Sequence, residues 1–315
     1  MVNRWYKPVG WFLLCLLLVA CKGSRSVPDE TLFSGVIRIA ADESLAPVVQ
    51  EELDVFEAQY VLAGVIPRYT NEVEAMNLLL MDSLRFVVAT RPFSEGELKG
   101  LRNRKFIPKS IKIATDGLAL IVHKSNPDSM MSVSTLQKIF SGQVTKWNEL
   151  FPHRKAQPIY AVYDDPNSST VRYVKDSICR GEKLSEQSYA AGSNAKVIEY
   201  VARTPNAIGV IGVNWISEEQ DAASREFSSS IQVVRVSRDE NPTYENSCQP
   251  YQYYLHTGQY PFRREIYINL NDPRSGLPTG LTSFITSARG QRIVLKAGLL
   301  PATMPINVVH TRDNL

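Results

Sequence analysis

Four short loops in this sequence carry residues that can hold a small oxyanion. Asn167, Ser168, Ser169 and Thr170 open a stretch with helical apolar spacing. The first N–H groups of a helix lack intrahelical partners and favour negative charge. Ser and Thr hydroxyls add neutral donors beside them. The same residue types are preferred helix caps, so capping alone also accounts for them. Asp42, Glu43 and Ser44, followed by Leu45, make a second loop of this kind. Thr70, Asn71 and Glu72 make a third, and Thr90 and Arg91 a fourth. Arg91 can fork onto an oxyanion or pair with a carboxylate. Asp42, Glu72 and Asp164 put acids at or beside these loops. Asp164 and Asp165 could form a carboxylate pair, but side chains of sequence neighbours usually point apart, so they read first as a turn or cap.

Catalytic and cofactor signatures do not accompany the loops. The chain has no G-x-S-x-G elbow, P-loop, H-E-x-x-H pair or dinucleotide fingerprint. Its four histidines, His123, His153, His256 and His310, are never three or four residues apart, so no local metal site is suggested. The chemistry on offer is capture rather than turnover, with no enzyme activity and no cofactor expected.

The elements that must position these loops alternate. A β-branched strand over 35–41 leads into the Asp42 loop and a helix over 45–60. A strand over 65–69 precedes Thr70, a helix over 71–81 follows it, and a strand over 85–89 precedes Thr90. Lys112 to Lys124 reads as a long strand broken near Asp116 and Gly117, able to run between two lobes. A strand over 159–163 leads to the Asp164 loop and a helix over 170–178. A helix over 195–203, strands over 207–213, 231–236 and 264–269, and one or two helices over 280–298 complete the pattern. Strand, loop, helix in repetition means an α/β fold with a parallel sheet covered by helices. Ligands of such sheets sit at the carboxyl ends of strands, where these loops lie.

Length and charge fit this reading. The 315 residues suffice for two lobes, and the net charge of +3 without a basic aromatic block excludes a nucleic-acid partner. The amino terminus is a targeting segment. Arg4 and Lys7 precede an apolar run over 9–20 that is too short to span a membrane. Leu18, Val19, Ala20 and Cys21 have the form of a lipobox. Residues 1–20 are read as a lipoprotein signal peptide and 21–34 as a tether lipidated at Cys21. Losing Arg4 and Lys7 lowers the charge from +3 to +1, so lipid rather than electrostatics would hold the protein to a membrane. Cys179 and Cys248 remain, either as a disulfide, which export permits, or as two buried thiols.

Several stretches together resemble the phosphate-binding protein of Pst-type ABC transporters, a type II periplasmic solute-binding protein. They are 116–127, the motif Leu136–Gly142 with Thr145–Leu150, Asn206–Gly209, Tyr260–Arg263, Gly290 with Gln291, and Ala297–Pro301. The resemblance covers roughly residues 35–310. It implies two α/β lobes joined by a hinge that close on an anion in the cleft between them. Lobe 1 is then expected over 35–116 plus 259–315, lobe 2 over 117–236, and a loop-rich return crossing over 237–258. Residue by residue, it assigns Ser44, Leu45, Thr70, Asn71, Thr90, Arg91, Ser168 and Thr170 to the phosphate loops, with Ser169 where the family has Gly. Asp164 stands where the family's loop has Arg, and Glu72 lies near a loop usually rich in Gly and Ser. A carboxylate can accept a proton from phosphate and so reject sulfate. Each unpaired like charge at about 4 Å costs about 4 kcal/mol at an effective dielectric of about 20, against about 8 kcal/mol for micromolar binding. The resemblance implies a monomeric receptor in the bacterial envelope, facing the periplasm and serving an ABC permease or a sensor. A sensory or interaction lipoprotein on the same fold that has lost phosphate binding is the alternative, motivated by Asp164.

Overall fold

The computed structural model describes residues 30–216 and 230–303. Cys21, the signal segment and His310 lie outside the described residues. The amino-terminal half begins with strand β1 (Gly35–Asp42), a 3-10 turn over Glu43–Leu45 and helix α1 (Ala46–Gln59). Strand β2 (Ala63–Thr70), helix α2 (Glu72–Leu80), strand β3 (Phe86–Ala89) and helix α3 (Glu95–Asn103) follow. Strand β1 pairs in parallel with both β2 and β3, which brings the Asp42, Thr70 and Thr90 ends to one rim. Pro at the start of α1 and the Ser94–Glu97 capping box at α3 set those helices where the loops end.

Strand β4 (Pro108–His123) is continuous, not broken at Asp116 and Gly117. The chain then forms β5 (Met130–Ser132), α4 (Val133–Phe140), α5 (Trp147–Leu150), β6 (Tyr160–Tyr163) and α6 (Ser169–Tyr173). Helix α6 passes into a π turn over Val174–Ile178, so the expected single helix is two pieces. After these come β7 (Ser188–Ala190), α7 (Asn194–Arg203), β8 (Ala207–Gly212) and a 3-10 turn over Val213–Trp215. Strands β9 (Ile231–Val233), β10 (Arg235–Ser237) and β11 (Ser247–Cys248) and helix α8 (Gln252–Thr257) lead to β12 (Arg263–Asn271). Helices α9 (Leu277–Ile285) and α10 (Ala288–Lys296) and strand β13 (Leu300–Pro301) close the described chain.

Strand β4 is the axis of the molecule. Its residues up to Gly117 pair with β12, and those from Leu118 pair with β8. The sheet order is β2-β1-β3-β12-β4-β8-β6-β7. One core gathers Ile39, Leu53, Phe56, Phe86, Ile268 and Phe284 before the crossing. Another gathers Leu120, Leu136, Phe140, Trp147, Val210 and Tyr260 beyond it. The stretch 237–258, expected as the return crossing, packs instead with this second core through Cys248 and Leu255. The chain returns over Phe262 and Arg263, where the Leu118 N–H donates to the Phe262 carbonyl and Arg263 pairs with Gly117. Cys179 and Cys248 are both buried and free.

Candidate ligand cleft between the lobes

The alternation of β12 points Arg264 inward, in phase with Ile266, Ile268 and Leu270. Its register partner across the sheet is Asp116 of β4. Nε and Nη2 of Arg264 lie 2.9 and 2.8 Å from Asp116 Oδ2, and both side chains are buried. Gly212 at the end of β8 leaves room for this pair, since a Cβ there would stand 3.2 Å from both Arg264 Nη2 and Asp116 Oδ2. The guanidinium then reaches two hydroxyls from opposite sides of the cleft. Nη2 donates to Ser44 Oγ at 2.9 Å and Nη1 to Ser169 Oγ at 2.7 Å. The Ser44 carbonyl accepts from Asn214 Nδ2 and Trp215 Nε1, at 3.0 and 2.9 Å.

Asp42 completes this cradle. Its Oδ1 accepts from the Ser44 N–H at 2.9 Å and from the Ser44 hydroxyl, and its Oδ2 accepts from the Ser169 N–H at 3.2 Å. Burial, then the charge of Glu72, raises the Asp42 carboxyl above its usual range, against the pull of Arg264. Burial works against the Arg264 charge, but Asp116 and Asp42 outweigh it and hold the guanidinium ionised.

A second bridge crosses the cleft beside it. Arg172 Nε donates to Glu72 Oε2 at 2.6 Å, and its Nη2 donates to Thr90 Oγ1 at 2.8 Å. Glu72 Oε1 also accepts from the Thr90 N–H at 2.7 Å and the Thr90 hydroxyl at 2.8 Å. Burial pushes the Glu72 carboxyl up, but the Arg172 and Thr90 donors more than offset it and leave it below the usual range. A third contact joins Glu43 to Asn194, whose Nδ2 lies 2.6 Å from Glu43 Oε2 and 3.2 Å from Asp164 Oδ2.

A cavity of about 280 Å³ opens beside the cradle, lined by Asp42, Glu43, Thr70, Asn71, Asp164, Asp165 and Ser168 among others. Burial, followed by the charge of Asp42, pushes the Asp164 carboxyl up to about 7. The Ser168 hydroxyl donates to Asp164 Oδ1 at 2.6 Å and caps α6 by accepting from the Val171 N–H. Thr170 Oγ1 is buried without a hydrogen-bond partner. No metal-ligating cluster is present among the described residues. Hydroxyls and N–H groups of both lobes around one guanidinium can hold an oxyanion, and the raised Asp164 carboxyl can exchange a proton with it.

The expected residues divide. Ser44, Ser168, Ser169 and Thr170 meet at the cleft with Asp42 and Asp164. Thr70 lines the cavity and gives its hydroxyl to Glu74, and Thr90 and Glu72 lie in the Arg172 bridge. Leu45 is in the lobe 1 core. Arg91 turns away and forks onto Glu97, with both nitrogens at 2.8 Å, inside the α3 capping box. Arg264, Asp116 and Arg172 were not among the expected residues. For Arg264 the signal was available, a charge at an inward position of an otherwise apolar alternating strand.

Known proteins share this architecture. Residues 27–289 match the family described as PBP superfamily domain. The phosphate-binding protein PstS of Staphylococcus saprophyticus is 22% identical over 272 residues, 86% of this chain and 80% of that protein. That of Staphylococcus aureus strain USA300 is 21% identical over 258 residues, 82% of this chain and 75% of its own length. Among solved structures, a putative phosphate ABC transporter substrate-binding protein from Clostridium perfringens, with bound phosphate, superposes with a TM-score of 0.68. It is 21% identical, over 85% of this chain and 100% of that one. An ABC-type phosphate transport receptor from Vibrio cholerae gives 0.60 at 18% identity, over 85% of this chain and 100% of that one. The fold is therefore the two-lobe periplasmic-binding-protein fold.

Proposed function

The chain belongs to the PBP superfamily, and from that premise we propose that it is a substrate-binding protein of an ABC transporter that captures inorganic phosphate by lobe closure. It is carried in the envelope on a lipid at Cys21. The observation that carries this reading is the Arg264 guanidinium, buried at the crossing and donating to Ser44 and Ser169 from the two anion loops. It supplies the positive fork that Asp164 does not. Asp164, pushed up to about 7, takes the proton of a protonated phosphate oxygen. Sulfate has no such proton to give, so the acids of the cavity repel it. Closure follows from differential affinity, since ligand held by Ser44 and Ser169 together favours the closed lobes. The non-enzymatic reading agrees with the solute-binding relatives. The domain division follows the crossing of β4 at Gly117 and the return at Arg263.

Calorimetry on residues 22–315, stripped of ligand by unfolding and refolding, tests it. Phosphate is titrated first, then sulfate at the same ionic strength. Phosphate binding that excludes sulfate and is lost in Arg264→Met is expected. Absence of both heat and thermal shift with phosphate rejects the reading. Mass spectrometry of the membrane-extracted amino terminus tests the lipid, with a diacylglyceryl mass on Cys21 expected.

A further inference from the structure

The Asp42 carboxylate accepts hydrogen bonds of the kind an anionic ligand would take. It is fully buried, at 0% exposure, and accepts from donors of both lobes: the Ser44 N–H and hydroxyl on one side and the Ser169 N–H on the other. A carboxylate and a phosphate oxygen pair are equivalent acceptors for such a set. Asp42 is also not the main counter-charge of Arg264, because Asp116 takes two guanidinium nitrogens on its own. The charged groups around Asp42 are Arg264 on β12, Asp116 on β4, Glu72 on α2, Asp164 after β6 and Glu43 in its own turn. Acids outnumber bases there, so a further anion entering beside an ionised Asp42 meets repulsion as well as occupied donors.

We propose that Asp42 is a tethered competitor of the ligand. Its carboxylate holds the anion seat of the closed cleft, and phosphate binds by displacing it from Ser44 and Ser169. This rests on the phosphate reading above and makes Asp42 the residue that sets affinity at that site. Removing the carboxylate frees the Ser169 N–H and removes a like charge, so the seat passes to the ligand.

The test is calorimetry with phosphate at pH 7.5 on wild-type 22–315, Asp42→Asn and Asp42→Ala, each first shown to unfold cooperatively. Both variants are expected to bind at least tenfold more tightly. If the wild type binds and both variants bind equally or more weakly, the competitor is overturned while the receptor reading stands. Binding by the variants but not the wild type supports the competitor and removes the receptor reading. No binding by any of the three overturns both. Nuclear magnetic resonance decides without a variant: the carboxylate 13C shift of Asp42 moves toward its free value as phosphate is titrated into the wild type. A shift that stays fixed at saturation overturns the proposal.

Discussion

Glu52 offers the sharpest test of the energetics read from this fold. It lies on α1 at 3% exposure, facing the lobe 1 core rather than solvent. A cavity of about 20 Å³ beside it is walled by Val48, Val49, Val88, Ile113, Ile266 and Leu299. Neither carboxylate oxygen has a hydrogen-bond partner. Burial, with a smaller push from Glu51, raises the carboxyl from 4.5 to about 9. The folded value exceeds the unfolded one, so the folded state binds the proton more tightly. The associated stability is complete below pH 4.5 and drains away as pH rises toward about 9. Each pH unit in that window costs about 1.4 kcal/mol, so neutral pH costs the native state about 3 kcal/mol. Glu52→Met fills similar volume and does not titrate. Urea unfolding at pH 5, 6.5 and 8 is the assay. The substitution should add about 1 kcal/mol at pH 5 and about 4–5 kcal/mol at pH 8, with an unchanged urea dependence at each pH. A gain that is the same at pH 5 and pH 8 refutes a neutral buried Glu52.

Other substitutions probe the cleft. Gly212→Ala puts a Cβ 2.8 Å from Asn214 Nδ2 and 3.2 Å from Arg264 Nη2; phosphate affinity should fall at least tenfold in calorimetry, with a lower Tm. Glu72→Gln leaves Arg172 without its carboxylate; because the Arg172 side chain is 38% exposed, the loss in urea unfolding should be about 2 kcal/mol rather than the 3–5 kcal/mol of a wholly buried pair. Arg91→Ala removes the fork onto Glu97 and a bond to the neighbouring Pro92 carbonyl; stability should fall by about 1 kcal/mol or less, with phosphate affinity unchanged. Asp164 has its carboxyl raised from 3.8 to about 7, so its stability contribution is lost progressively as pH rises from about 4 to about 7; Asp164→Asn should flatten the fall in Tm across that window.

The α/β alternation was legible because apolar periodicity reports burial directly. Residues 35–41 and 207–213 read as strands, and the structure forms strands over Gly35–Asp42 and Ala207–Gly212. The break expected at Asp116 and Gly117 came from intrinsic propensity, since both types are poor strand formers. Tertiary context overrides it: Asp116 is paired with Arg264, and a side chain at Gly117 would meet Leu255 and Pro250. Arg91 illustrates the opposite case. Its partner was readable locally, because Ser94 and Glu97 have capping-box spacing. Arg172 carries no such signal. Its partners Glu72 and Thr90 are 100 and 82 residues away, so only the assembled cleft reveals it.

The position of Arg264 bears on the proposed closure. An arginine at position 164 would travel with the second lobe. Arg264 instead sits on β12 opposite Asp116, at the point where β4 passes between lobes. Its Asp116 partner is on the same crossing, so this ion pair lies within the sheet and does not span the cleft. Ser169 lies on α6 and reaches the guanidinium from the second lobe. Positive charge therefore sits at the crossing, and on the proposed function closing would bring the Ser169 hydroxyl and N–H to it. Such a site would then hold ligand weakly when open, on one arginine already neutralised by Asp116. On that reading its discrimination would arise on closing, when the donors of Ser169 and the acid of Asp164 meet the ligand together. That separation predicts an Arg264→Lys protein that keeps its Asp116 pair yet binds phosphate less tightly, because a point charge cannot fork to both Ser44 and Ser169.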